Sequence, residues 1–164
     1  MDASPASPHP SNTNASHPTD PGAPRPVDPI EQNRLTRDRL GAVVTTFADR
    51  SAADHPLVAP MLAQLAFWDR WAEQLLRRWR SGQLPPPSVP PWYDDAVNAA
   101  LADQWSALSV RAAGSLAMAA AAAVDREVEH LETPVLAAIT AASELDLVHR
   151  HRYREPVLER LERG

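Results

Sequence analysis

The chain has 164 residues, 44% hydrophobic and 23% charged, with a net charge of −5. That length suits a single domain with a real core. The acidic balance excludes a nucleic-acid binder, because phosphate recognition needs a concentrated basic surface. All 16 basic residues are Arg, and there is no Cys, which excludes disulfides, thiolate catalysis and cysteine-ligated zinc.

Residues 1 to 29 are dominated by Pro, Ser, Asn, Thr and Asp. Such a stretch buries too little apolar surface to offset its ordering entropy, so it is expected to be a disordered tail. It lacks the charged start and apolar run of a signal peptide. The longest apolar run, Leu116 to Val124, is about half a membrane span. A soluble, cytoplasmic protein with no membrane partner is expected.

From Ile30 the chain reads as helix. Leu35, Leu40, Val43, Val44 and Phe47 predict a first helix over 31–50. Asp54 is placed to cap a second, with Pro56 in its first turn. Its apolar stripe runs through Val58, Leu62, Leu65, Trp68, Leu76 and Trp79 to a stop at Ser81 and Gly82. Five prolines between Gln83 and Tyr93 forbid helix there.

Asp94 and Asp95 open a shorter helix to Ser106, and Ser109 caps a long alanine-rich one ending near His130. Thr133 and Pro134 read as cap and first residue of a brief helix to Ser143. A last helix is expected over 144–162, kinked or split by Pro156. Four long helices, two short ones and no strand pattern predict an all-α helix bundle for residues 30–164.

At 100° per residue, Val148, His151, Glu155 and Leu158 share one face of the last helix, while His149 and Tyr153 project elsewhere. His151 and Glu155 are an i, i+4 pair that can share a ligand or form a buried ion pair. Gln64 lies at the edge of the second helix's stripe. Trp68, Trp71 and Trp92 are candidates to line a pocket: Trp68 also reads as core, Trp71 lies further round, and Trp92 sits in the Pro-rich loop, which could form a lid or partner surface. Asp125 and Glu129, with Arg126 beside them, read as a solvated face.

Residues 62–71 (LAQLAFWDRW) and 149–155 (HRHRYRE), together with the Pro-rich connector and WYDDAVN at 92–98, resemble the DinB-like superfamily of four-helix bundles. That superfamily includes the mycothiol-dependent maleylpyruvate isomerase N-terminal domains. The resemblance spans about residues 35–162 and implies a DinB-like four-helix bundle with one or two short extra helices.

It also implies a histidine triad for a divalent metal, one ligand from the second helix and two from the last. Carried onto this chain, the triad reads Gln64, His151 and Glu155, so two histidines are replaced. An alternative register pairs His149 with Tyr153. The implied function is a metal-dependent transferase, isomerase or hydrolase acting on a small molecule. Zinc, nickel, iron or manganese would activate water or a low-molecular-weight thiol. The alternative is a bundle without metal that binds a small molecule or a protein. Dimers are common in the superfamily, so a homodimer is a further expectation.

Overall fold

A computed structural model describes residues 28–50, 54–83 and 93–163. Of the tail expected over 1–29, residues 1–27 lie outside these residues, as does the Pro-rich segment with Trp92, while Asp28 and Pro29 belong to the start of the first helix instead. Among the described residues the fold is all-α. Its helices are α1 (Pro29–Phe47), α2 (Val58–Arg80), α3 (Tyr93–Ser106), α4 (Val110–Glu129), α5 (Thr133–Ala141) and α6 (Arg150–Glu162). A 3-10 turn at Leu145–Leu147 precedes α6.

Helix ends follow local chemistry. Asp28 caps α1, its carboxylate accepting from the Ile30 N–H at 3.0 Å, with Pro29 as first residue. Ser109 caps α4 by accepting from Ala112 N–H at 3.1 Å, as the sequence predicts. Two expected caps differ. Asp54 falls short of α2, which starts at Val58 behind Leu57 with no side-chain cap, leaving Pro56 outside it. Glu132, rather than Thr133, stands at the α5 cap.

The largest departure lies before α6. The expected continuous helix from Glu144 is interrupted at His149 (φ −89°, ψ 55°), and α6 runs on through Pro156. Pro156 is exposed, and the break falls where a side chain from α1 takes over the capping.

Helix contacts form a ring in which α1 meets α4, α4 meets α2, α2 meets α6 and α6 meets α1. α3 rests on the outside of α2. One apolar cluster joins Leu40, Val43 and Phe47 of α1 with Leu62 and Leu65 of α2, Ala117 and Ala120 of α4, and Leu158 and Leu161 of α6. A second joins Ala72 and Leu76 to Val124, Val128, Ile139 and Val148. α1 and α4 approach closely at Gly114, where an added Cβ would meet Val44 Cγ1 at 2.7 Å.

Candidate functional site

The face that α6 turns toward α2 carries Arg150 and Arg154. Asp69 on α2 receives both, Arg150 Nε donating to Oδ1 at 3.0 Å and Arg154 Nε to Oδ2 at 2.9 Å. On the other side of Arg154 lies Asp125 of α4, which accepts from its Nη2 at 2.9 Å and its Nη1 at 3.3 Å. Arg37 of α1 reaches the same carboxylate at 2.9 Å. Every helix of the ring thus supplies a charged group to one line, Arg37–Asp125–Arg154–Asp69–Arg150.

Arg154 is fully buried, and all five of its N–H bonds have acceptors. Three go to the two carboxylates and the others to the carbonyls of Asn33 and Ala121, at 3.2 and 3.4 Å. Burial opposes its charge, but Asp69 and Asp125 outweigh burial and hold its pKa above the ordinary value. Burial pushes the Asp125 carboxyl up against the pull of Arg154 and Arg37. The expectation of a solvated face at Asp125 is therefore corrected: it is 3% exposed, while Arg126 and Glu129 are exposed as expected.

Asn33, also buried, completes the site. Its Oδ1 accepts from His151 N–H at 2.8 Å, and its Nδ2 donates to Val148 C=O at 2.9 Å. The residue at the α6 cap position, His149, offers no side-chain bond. A side chain from α1 does that work instead, satisfying a helix-end N–H.

The residues expected to form the site are distributed differently. His151 is buried on the α1 side, Nδ1 3.3 Å from Asn33 Oδ1, and the half-buried Glu155 exerts its charge on His151 and on Arg39 of α1. Gln64 is half-buried on α2, turned about 140° away from Asp69 around the helix. Among the described residues no hydrogen bond joins Gln64 to His151 or Glu155. Tyr153 lies on the opposite flank of α6, where Asp69 and Asp94 act on it.

Trp68 is core, as expected, with its indole N–H donating to Asn98 at 3.0 Å. Trp71 is 37% exposed and lies 6.3 Å from the Tyr93 ring.

The donor set at the α2–α6 crossing does not fit a divalent metal. Guanidinium has no lone pair to give and stays protonated, so Arg150 and Arg154 repel a cation where the resemblance implies one. Among the described residues no three His, Cys, Asp or Glu side chains group as a metal site.

Sequence reasoning missed Asn33, Asp69, Asp125, Arg150 and Arg154. One signal was present: on α6, Arg150 and Arg154 are an i, i+4 pair one register from His151 and Glu155. They point along the same stripe as Leu158 and Leu161. Searched against known proteins, the chain matches no protein-family model, no curated protein and no solved structure.

Proposed function

We propose that this chain is a metal-free bundle of DinB-like type that acts as a binding module for a small molecule. The observation that supports its metal-free character is the Asp69 carboxylate gripped by Arg150 and Arg154 where the second and last helices cross. An i, i+4 pair does face α2 there, as the resemblance implies, but it consists of cations whose charge the α2 carboxylate neutralises. The ion pairs then do what a metal would do structurally: they join α2, α4 and α6 at one depth. The ring of α1, α4, α2 and α6 supports the four-helix type.

The rival reading is a metal enzyme using His151, Glu155 and Gln64. Elemental analysis of untagged protein separates the two. Metal far below one ion per chain, with a Tm unchanged by chelator or by added zinc, is the expected result. Near-stoichiometric zinc, nickel, iron or manganese that disappears in His151→Ala would overturn the proposal.

A further inference from the structure

The C-terminal ends of α2 and α4 lie side by side and carry basic residues at helical spacing, Arg77 and Arg80 on one, Arg126 and His130 on the other. Glu127 of α4 joins them. Its Oε1 accepts from Arg77 Nε at 2.9 Å and its Oε2 from Arg80 Nη1 at 2.6 Å, so two guanidiniums are held next to each other by one carboxylate. Glu73, buried one turn earlier on α2, meets Arg70 and Arg77 at 2.6 Å each. Arg126 Nε donates to the Ala122 carbonyl at 3.2 Å, and His130 Nδ1 to the Arg126 carbonyl at 2.6 Å.

Four guanidiniums thus share two carboxylates, an excess of two positive charges before His130 is counted. Among the described residues, Arg77 Nη1, Arg80 Nε and Nη2, and both Nη atoms of Arg126 meet no acceptor. The same side chains line an open cavity of about 350 Å³, with Arg77, Arg80, Ala123, Arg126, Glu127 and His130 around it. A second, of about 300 Å³, shares Arg77 and Arg80 and adds Ser81, Glu132 and Val135.

Arginine near a helix C-terminus ordinarily offsets the dipole. Here backbone N–H groups already meet last-turn carbonyls, from Ser81 and Gly82 on α2 and from His130 on α4. Burial opposes the charge of Glu127, yet Arg80 and Arg77 hold its pKa below the ordinary value, so it remains the carboxylate that keeps the two guanidiniums together.

We infer that this groove binds the phosphate group of a small phosphorylated molecule, held by Arg77, Arg80 and Arg126, with the rest of the molecule lying over the arginine pair toward Val135. A phosphate dianion matches the excess of two charges. Its three terminal oxygens suit guanidiniums arriving from two helices, whereas a carboxylate has only two to offer. One phosphate needs a local site and not a basic surface, so the acidic balance of the chain is no obstacle. The groove begins about 12 Å along α2 from Asp69. It therefore gives the binding-module reading a ligand class without resting on the state of the α2–α6 crossing.

The test is calorimetric titration of the untagged full chain with inorganic phosphate and with glycerol phosphate at constant ionic strength, with acetate as control. Saturable binding of one phosphate per chain is expected, with acetate at least tenfold weaker. Arg80→Gln and Arg126→Gln should each weaken it about tenfold, the usual worth of a hydrogen bond between charged groups. Both side chains are exposed, so the variants fold. Arg111→Gln makes the same change of charge at the other end of α4, roughly 22 Å from Arg126, and should leave binding unchanged. No saturable phosphate binding, no loss in Arg80→Gln and Arg126→Gln, or an equal loss in Arg111→Gln would each overturn the inference. So would capture by phosphatidylcholine vesicles containing phosphatidic acid without binding of free phosphate, which would make the ligand a lipid surface. Metal analysis of the same samples bears on the α2–α6 crossing alone, so failure there is told apart from failure here.

Discussion

α4 and α6 both lie against α2, one through alanine and the other through arginine. Along α4, Ala113, Ala117, Ala120 and Ala121 are all essentially inaccessible, and their small size lets the helix axes close up. Along α6, Arg150 and Arg154 reach across to α2 and α4 and meet carboxylates. The apolar contact is forgiving of small slides, because dispersion and burial are non-directional. The charged contact is not, since a one-residue slip would strand a buried carboxylate. The two surfaces divide the labour, with alanine supplying proximity and the ion pairs fixing register.

Removing the centre of the charged contact should break the comparison most severely. Arg154→Met keeps volume but leaves Asp69 and Asp125 short of their shared partner in the interior. A loss of about 3–5 kcal/mol is expected, as for other buried pairs broken from one side. Urea denaturation followed by far-UV circular dichroism measures it, and a loss below about 1 kcal/mol would mean water reaches the site. Asn33→Ala comes next. It deprives His151 N–H and Val148 C=O of their partners and should cost about 2–3 kcal/mol, with amide exchange rising first at the start of α6.

These two residues also show what the sequence could and could not disclose. The helices were legible because Leu40, Val43, Leu62, Leu65, Leu76 and Leu158 repeat at helical spacing and are buried. Ser109 was legible as a cap because capping is local. Asn33 was not, because its partners lie 115 and 118 residues away. Asp125 read as part of a solvated face, and nothing singled out Asp69 or Arg154, because charged residues seldom lie fully buried. Their burial depends on which face of each helix meets the others. A single residue of register on α6 separates the pair chosen from the sequence, His151 and Glu155, from the pair that faces α2. Trp92 lies outside the described residues.

Where α4 meets α1 instead, the effects should be smaller and reversible. Gly114→Ala puts a methyl 2.7 Å from Val44 Cγ1, so α1 and α4 must part or Val44 must turn. A loss of about 1 kcal/mol is expected from overpacking. In a Val44→Ala background the clash is gone, and the same substitution should gain up to about 1 kcal/mol from helix propensity alone. A double-mutant cycle by thermal unfolding reads the change of sign. Equal effects in both backgrounds would show that the close approach at Gly114 does not limit the packing.

The smallest effect is a pH dependence at the start of α6. His149 and His151 are both held below the ordinary histidine value, burial being the main cause, with Arg152 adding for His149 and His149 adding for His151. In the unfolded chain both take up protons near pH 6.5, whereas in the folded chain they do so at lower pH. Between those values the unfolded state binds more protons, so stability falls as pH drops below about 6.5 and levels off beneath the folded pKa. Asp125 works the other way. Its carboxyl is raised by burial, so protonation there favours the folded state until the ordinary carboxylate value is passed. A decline of a few degrees in Tm between pH 7 and 5.5 is expected, reduced in His151→Gln. That variant keeps the backbone N–H that Asn33 accepts from, so a flatter profile reports the imidazole and not the cap. An unchanged profile would place the titrating groups elsewhere than at the start of α6.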